Sequence, residues 1–123
     1  MLNFNSILLF SENPKKLADF YGKVFDKKPE MEDGGYTGFL VGSCFLNIGP
    51  HDKVKGKSSN PERIMFNFET DDVKGEFAKI EKLGAKVIAK PYQMGEWDGW
   101  IATLADPDGN YFQLMTPWDS GKN

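Results

Sequence analysis

Residues 106–114 read DPDGNYFQL, and this stretch decides how the rest of the chain is interpreted. Its first five residues are those that tight turns favour, because Pro presets its backbone angle, Gly adopts positive φ, and Asp or Asn can bind the backbone of the turn. Apolar residues flank the turn on both sides, from Trp100 to Leu104 and from Tyr111 to Met115. Two strand-like segments joined by turn residues predict a β-hairpin across 105–110.

The elements before this hairpin repeat an order found in the first half. There, a strand from Phe4 to Phe10 precedes a helix that starts at Asn13-Pro14 and ends at 27–29, and a hairpin around Gly42-Ser43 follows. The second half has a strand at 63–69, a helix capped by the segment Thr70-Asp71-Asp72 and ended by Gly84, a strand at 86–89 and the hairpin. Each half therefore reads strand–helix–strand–strand–strand, with an offset of 59 that aligns Ser6 with Met65. We predict one domain of residues 1–123, with module 1 at about 1–49, a connector at about 50–62 and module 2 at about 63–118.

The composition excludes several classes of protein. The chain has 123 residues, a net charge of −3 and a pI near 5.1, so no basic face for nucleic acid is expected. It has no apolar run of membrane-spanning length and no features of a signal peptide at its start, which predicts no membrane partner and a cytoplasmic location. A single cysteine, Cys44, excludes an intramolecular disulfide framework, and we expect it to be a small buried hydrophobe.

The chain also has one histidine, His51. A two-histidine iron site or a four-ligand Cys/His zinc site cannot be built from one His and one Cys within one chain. Because His51 lies in a polar loop, we expect it to be exposed to solvent.

Each module is too small to bury both faces of its own sheet. A helix covers one face, and the other must meet the second half of the chain or a second molecule. We therefore expect an α+β fold in which eight strands form curved, barrel-like mixed sheets around a cleft.

Three sequence markers resemble the vicinal oxygen chelate superfamily, which includes glyoxalase I, extradiol dioxygenases, fosfomycin-resistance proteins and bleomycin-binding proteins. The markers are Asn13-Pro14 with Phe20-Tyr21 and Val24-Phe25, then Asp72-Val73 with Leu83-Gly84-Ala85, and the 106–114 stretch. The resemblance implies two βαβββ modules and, in the enzymes of the family, a divalent metal held by two first-strand and two last-strand side chains.

The positions that match these ligands here are Ser6, Asn47, Met65 and Gln113. None of them is His, Asp or Glu, and neutral hydroxyl, amide and thioether groups are poor substitutes for charged ligands of a divalent ion. We therefore predict no metal and no cofactor.

Residues of matching strand parity should face the same cleft as these four positions. Apolar, aromatic and amide side chains of this kind are typical of a pocket for a planar or mostly apolar small molecule, and an arginine could meet an anionic group. The alternatives are that Phe4, Phe45 and Met65 simply fill the core and that Gln113 merely hydrogen-bonds a neighbouring strand. Arg63 is otherwise a solvated or salt-bridged side chain, and Trp97 and Trp100 form either a mobile lid or a structural contact. The predicted ligand-binding residues are Ser6, Phe45, Asn47, Arg63, Met65, Asn67, Trp100, Tyr111, Gln113 and Met115, and the parity also includes Phe4, Leu8 and Ala102.

Three functions remain open. The first is a metal-independent binding protein that sequesters its ligand in the cleft of a homodimer, as the resemblance to the bleomycin-binding branch implies. The second is an enzyme with a non-standard or metal-free site, in which Glu69, Glu96 or Asp98 would serve as the general base. The third is an interaction module without a ligand, which a cleft filled by its own side chains would favour.

Overall fold

The structure, a computed structural model, describes residues 1–118. These residues fall into two compact units, one of Met1–Lys57 and one that begins at Ser58. The division lies within the predicted connector, and residues 119–123 of the predicted domain lie outside the described residues. No helix within 1–118 is long and apolar enough to cross a bilayer.

The first unit consists of a four-stranded sheet and one helix. Its elements are β1 (Ser6–Ser11), α1 (Pro14–Phe25), β2 (Met31–Asp33), β3 (Tyr36–Val41) and β4 (Cys44–Pro50). The strands lie in the order β1-β4-β3-β2, with β1 and β4 parallel and the other pairs antiparallel. The hairpin around Gly42-Ser43 is confirmed, and β1 begins two residues later than predicted.

Helix α1 begins where the sequence predicts but is capped differently. Pro14 stands in its first turn, while the Asn13 side chain makes no capping hydrogen bond. Instead, the Asn13 N–H donates to Ser11 Oγ at 2.9 Å. Leu17 and Tyr21 are fully buried. The helix ends at Phe25, ahead of the predicted 27–29, because the next residue turns into the left-handed region with φ 53°.

Lys27 and Glu30 tie the segment after α1 to β3. Lys27 Nζ donates to the Leu40 carbonyl at 2.8 Å, and the Leu40 N–H donates to Glu30 Oε2 at 2.7 Å. The two side chains also form an ion pair, and the hydrogen bond from Lys27 is the main cause that lowers the pKa of Glu30 below its ordinary value of 4.5. Since β2 pairs only with residues 36–38 of β3, these side chains take the place of a strand beside Leu40.

The second unit repeats this arrangement. Its elements are β5 (Phe66–Glu69), α2 (Val73–Lys82), β6 (Lys86–Tyr92), β7 (Ile101–Ala105) and β8 (Tyr111–Met115). The strands lie in the order β5-β8-β7-β6, with β5 and β8 parallel. Helix α2 packs on β6, β7 and β8. Asp72 caps it by accepting a hydrogen bond from the Gly75 N–H at 3.0 Å, as predicted.

Three strands of the second unit have bounds that differ from the prediction, and β7 covers Ile101–Ala105 where 100–104 was predicted. The predicted strand at 63–69 begins only at Phe66, so Arg63 and Met65 lie outside it. The reason is that the Arg63 N–H closes a turn onto the Asn60 carbonyl at 3.1 Å, while strand pairing begins with Phe66 opposite Phe112. Strand β6 extends beyond the predicted Ala89 to Tyr92, with two register irregularities opposite β7.

The turn at 106–110 is built around the buried side chain of Asp106. Its Oδ1 accepts the backbone N–H groups of Asp108 at 2.9 Å and Asn110 at 3.0 Å. The Asn110 side-chain amide donates to the same carboxylate at 3.0 and 3.2 Å. Gly109 has φ 81°, a conformation that favours glycine. Residues 106–110 therefore form the predicted turn.

The predicted α+β class with two βαβββ modules is confirmed. Each unit is a four-stranded mixed sheet with one helix, and the sheets are curved but not closed. Each sheet consequently has one face that carries the helix and one that does not. We call the second the helix-free face of that sheet.

Candidate functional site

The strand register assigns each predicted residue of the first unit to a face. Leu46 and Ile48 of β4 are buried on the side that carries α1. Ser6 pairs with Phe45, and Leu8 pairs with Asn47. Because strand residues alternate between faces, these four residues lie on the helix-free face, as the sequence predicts for all of them.

The helix-free face of the first unit is largely apolar. Leu8 is 58% exposed and Phe45 is 38% exposed. The Asn47 side chain leans across Gly38, where an added Cβ would meet Asn47 Oδ1 at 2.6 Å. Ser6 Oγ donates to Asn5 Oδ1 at 2.8 Å. This face therefore offers an apolar surface with one amide at its centre.

An aromatic cluster of Phe10, Tyr36 and His51 lies at one end of the same face. The Phe10 ring meets His51 edge-on at 5.1 Å and Tyr36 at 6.4 Å. The Tyr36 ring lies over Gly49, so closely that an added Cβ would be 2.4 Å from it. His51 is exposed, as predicted, but its ring contact was not foreseen. The alternation of β1 places Phe10 on this face, and that of β4 places residues 49 and 51 there. Strand parity alone could therefore have predicted the cluster.

A row of polar side chains crosses the helix-free face of the second unit. Asn67 of β5 pairs with Gln113 of β8, which pairs with Thr103 of β7. Gln113 Nε2 donates to Thr103 Oγ1 at 3.0 Å, and Thr103 is buried. Tyr111 and Met115 share this face with Gln113, as predicted, and Met115 is buried there. Sequence reasoning missed Thr103.

The predicted facing of β7 is wrong by one residue. Ala102 pairs with Leu114, on the side that α2 covers, and Thr103 takes the position on the helix-free face. Trp100 has the parity of Ala102, and its ring lies 3.8 Å from Lys74 Nζ of α2. Trp100 therefore stands beside the helix and apart from the Asn67–Gln113–Thr103 row. The correction follows from the register that β8 imposes on β7.

Trp97 contacts the backbone beside it. Its indole lies on Gly99, where an added Cβ would be 2.1 Å from the ring, and its ring centroid is 5.7 Å from that of Trp118. Trp97 Nε1 is buried and has no hydrogen-bond partner among the described residues. In the segment before β7, the Trp97 side chain is thus packed against Gly99 and the Trp118 ring.

Arg63 and Met65 stand in the segment that precedes β5. Arg63 is exposed and Met65 is half-buried. Neither belongs to the paired part of the sheet, so strand parity does not assign them a face.

A sequence model of the glyoxalase-like domain family matches residues 6–115. The chain belongs to this family. A glyoxalase/bleomycin resistance protein/dioxygenase family enzyme from Burkholderia phytofirmans has the same fold, with a TM-score of 0.77 at 18% identity over 94% of this chain and 98% of that one. The fosfomycin resistance protein FosX from Listeria monocytogenes gives a TM-score of 0.75 at 18% identity, covering 99% and 96% of the two chains. TioX from Micromonospora gives 0.74 at 13% identity, covering 93% and 98%. No curated protein matches the chain.

These findings confirm the resemblance to the vicinal oxygen chelate superfamily. The residues of this glyoxalase-like domain do not fit the divalent metal that the enzymes of the superfamily hold. The Ser6 hydroxyl donates to its neighbour, and the Gln113 amide donates to Thr103. No group of three His, Cys, Asp or Glu side chains within 1–118 is arranged to bind a metal ion. We therefore derive no chemistry through a metal.

The three candidate bases of the glyoxalase-like domain are all exposed. Glu69 pairs with Met115 and lies two residues beyond Asn67 on β5, so it shares the helix-free face of the second unit. Glu96 and Asp98 lie in the segment between β6 and β7, where the Asp98 carbonyl accepts a hydrogen bond from Gln93 at 2.8 Å. Glu69 is the one of the three that strand register assigns to the same face as the polar row.

Proposed function

We propose that this glyoxalase-like domain binds a planar or mostly apolar small molecule without a metal ion and sequesters it. The observation that carries the proposal is the Asn67–Gln113–Thr103 row on a sheet face that also bears Tyr111 and Met115. A few oriented polar groups among apolar and aromatic side chains are typical of small-molecule sites.

Metal independence is supported by the donor set. A site that held a divalent ion would need charged or strongly donating ligands, and Ser6, Asn47, Met65 and Gln113 supply none. The test is the metal content of protein purified without chelator, together with thermal melts in added zinc, nickel, iron and manganese. We expect below about a tenth of an equivalent and an unchanged melting temperature. About one equivalent of any of these metals would refute metal independence.

Ligand binding is tested by quenching of tryptophan fluorescence with a panel of planar aromatic compounds. All three tryptophans belong to the second unit, and Trp100 directly precedes β7. We expect saturable quenching that Gln113→Ala weakens about tenfold, the effect of losing one or two hydrogen bonds in a partly buried site. Asn60→Ala is the control, because Asn60 is an exposed amide of the second unit that lies outside the row. Because Trp100 stands apart from the row, the same panel is also titrated by NMR, and a panel that gives neither saturable quenching nor saturable shifts would contradict the proposal.

A homodimer remains part of the proposal. The helix-free face of the first unit exposes apolar side chains, including Leu8 and Phe45, which a partner could cover. Light scattering should then give about twice the chain mass of 13.9 kDa. A mass equal to that of one chain, over the concentrations used for binding, would exclude the dimer.

An enzyme with a metal-free site is the second candidate, and the position of Glu69 favours it. A carboxylate on the face that carries Asn67 and Gln113 could act as a general base toward a bound ligand. If it does, Glu69→Gln abolishes turnover of the ligand while leaving its binding intact. A ligand recovered unchanged after long incubation with the wild-type protein would exclude this candidate.

A further inference from the structure

The polar row on the second unit carries information about the ligand. Gln113 Nε2 donates to Thr103 Oγ1 at 3.0 Å, and Thr103 is only 4% exposed. In the structure the Thr103 hydroxyl oxygen accepts this hydrogen bond on a central strand, and the Gln113 amide is oriented with its NH₂ group toward β7. With Nε2 turned to β7, the carbonyl oxygen Oε1 points away from Thr103.

The remaining hydrogen-bonding groups of the row have no partner of their own among the described residues. Gln113 Oε1 accepts no hydrogen bond there, and neither does the side chain of Asn67, which stands beside it on β5. Gln113 is half-buried and Asn67 is exposed, so a ligand can reach both. Together they offer a fixed acceptor next to an amide that can donate.

We propose that Thr103 is a positioning residue for Gln113 and that the row selects an uncharged carboxamide, lactam or urea group. Such a group carries an N–H donor beside a C=O acceptor, and it can satisfy Gln113 Oε1 and the Asn67 amide together. A carboxylate has no hydrogen to give to Oε1, and an ammonium must lose the hydration of a full charge on a partly buried face. A site built to hydrogen-bond a polar group rejects the analogue that leaves a partner unpaired.

This inference rests on the proposed function, and benzamide is the probe that tests it. Benzamide is a planar ring with a primary amide, and benzoate and benzylamine match its size. In titrations at pH 7 followed by NMR, we expect benzamide to bind about tenfold more tightly than either comparator. Equal affinity for benzamide and benzoate would overturn the inference. If no compound of the wider aromatic panel binds either, the proposed function fails as well, which separates the two results.

Variants at position 103 test the positioning role. Thr103→Val removes the hydroxyl, and we expect it to reduce the preference for benzamide over benzoate to below about threefold. Thr103→Ser keeps the hydroxyl and should keep the preference, while Thr37→Val in the first unit is the matched control. The ratio of two affinities is insensitive to a general loss of stability, so a merely structural role would leave it unchanged. A preference retained in Thr103→Val would overturn the role assigned to Thr103.

A second readout needs no ligand. In the wild type, one side-chain proton of Gln113 is hydrogen-bonded to Thr103, so its exchange with water should be slowed. Thr103→Val should speed that exchange, whereas Thr103→Ser should not. A Gln113 side-chain proton that exchanges equally fast in the wild type and in Thr103→Val would overturn the hydrogen bond on which the selectivity depends.

Discussion

Replacing Asp106 by alanine tests whether the 106–110 turn is held by a single carboxylate. The side chain accepts two backbone N–H groups, from Asp108 and Asn110, and it also receives the Asn110 side-chain amide. Asp106 is 5% exposed, so water cannot readily replace it. Leaving a buried donor without a partner costs about 1–3 kcal/mol. Because the two backbone donors are only part-buried, we expect Asp106→Ala to lower the free energy of unfolding by about 2–4 kcal/mol.

Asparagine at position 106 separates the two kinds of contact. One amide oxygen can still accept the backbone N–H groups, but the new NH₂ group faces the NH₂ of Asn110, so one contact is lost. We expect Asp106→Asn to lower the free energy of unfolding by about 1 kcal/mol, between the wild type and Asp106→Ala.

The assay is urea unfolding at pH 7, followed by fluorescence and far-UV circular dichroism, with the slope of the transition compared between variants. Asp108→Ala is the matched control in the same turn. The Asp108 side chain makes no hydrogen bond among the described residues, so its loss should change stability by less than about 0.5 kcal/mol. If Asp106→Ala is as stable as Asp108→Ala, the carboxylate does not hold the turn and the reasoning is wrong.

Three further predictions concern other parts of the two units. Gly49→Ala places a Cβ 2.4 Å from the Tyr36 ring, so it should destabilise by about 1–3 kcal/mol in urea unfolding, and by clearly less when Tyr36→Ser is also present. Trp97→Phe removes a buried N–H that has no partner among the described residues, so it should lower the free energy of unfolding by less than Trp100→Phe does. The lowered pKa of Glu30 stabilises the folded state above pH 4.5, and this contribution disappears as the pH falls through the folded-state value. The difference in melting temperature between wild type and Glu30→Gln should therefore be largest near neutral pH and vanish in acid.

The elements with a clear pattern were predictable from sequence. Helix α2 follows from the Asp72 cap, the buried spacing of Val73, Phe77 and Ile80, and the positive φ at Gly84, all of which the structure confirms. Strand β8 was placed to the residue, and the turn before it to within one residue, because β7 extends through Ala105. These features depend on neighbours close in sequence, which is why one chain segment suffices to predict them.

The facing of β7 could not be predicted in the same way. All five residues of β7 are buried, so the strand has no alternation of buried and exposed positions. Its sequence therefore does not indicate which residues face the helix. Its facing is set by pairing with β8, where Gln113 stands opposite Thr103. A shift of one residue exchanges the two faces of a strand, and it is the reason that Ala102 was chosen and Thr103 was missed.

Arg63 and Met65 show a different limit. Their parity continues that of Asn67, so the sequence favours one strand through all three. A strand, however, exists only where a partner offers hydrogen bonds, and pairing with β8 begins at Phe66. The first residue of β5 is therefore decided by where β8 begins after the turn at 106–110, more than thirty residues away in sequence.

Strand β8 explains why fold and ligand chemistry can be specified separately in this domain. Its turn-forming neighbour Asp106 and its buried residues Phe112 and Leu114 determine the hairpin and the packing beside α2. Gln113 lies between those two residues but points to the opposite face, where its contact is Thr103. A substitution at Gln113 therefore alters the chemistry of the helix-free face without disturbing the helix-side core. The match to the glyoxalase-like domain family spans residues 6–115, whereas under the proposed function the choice of ligand would depend on Gln113 and the face to which it points.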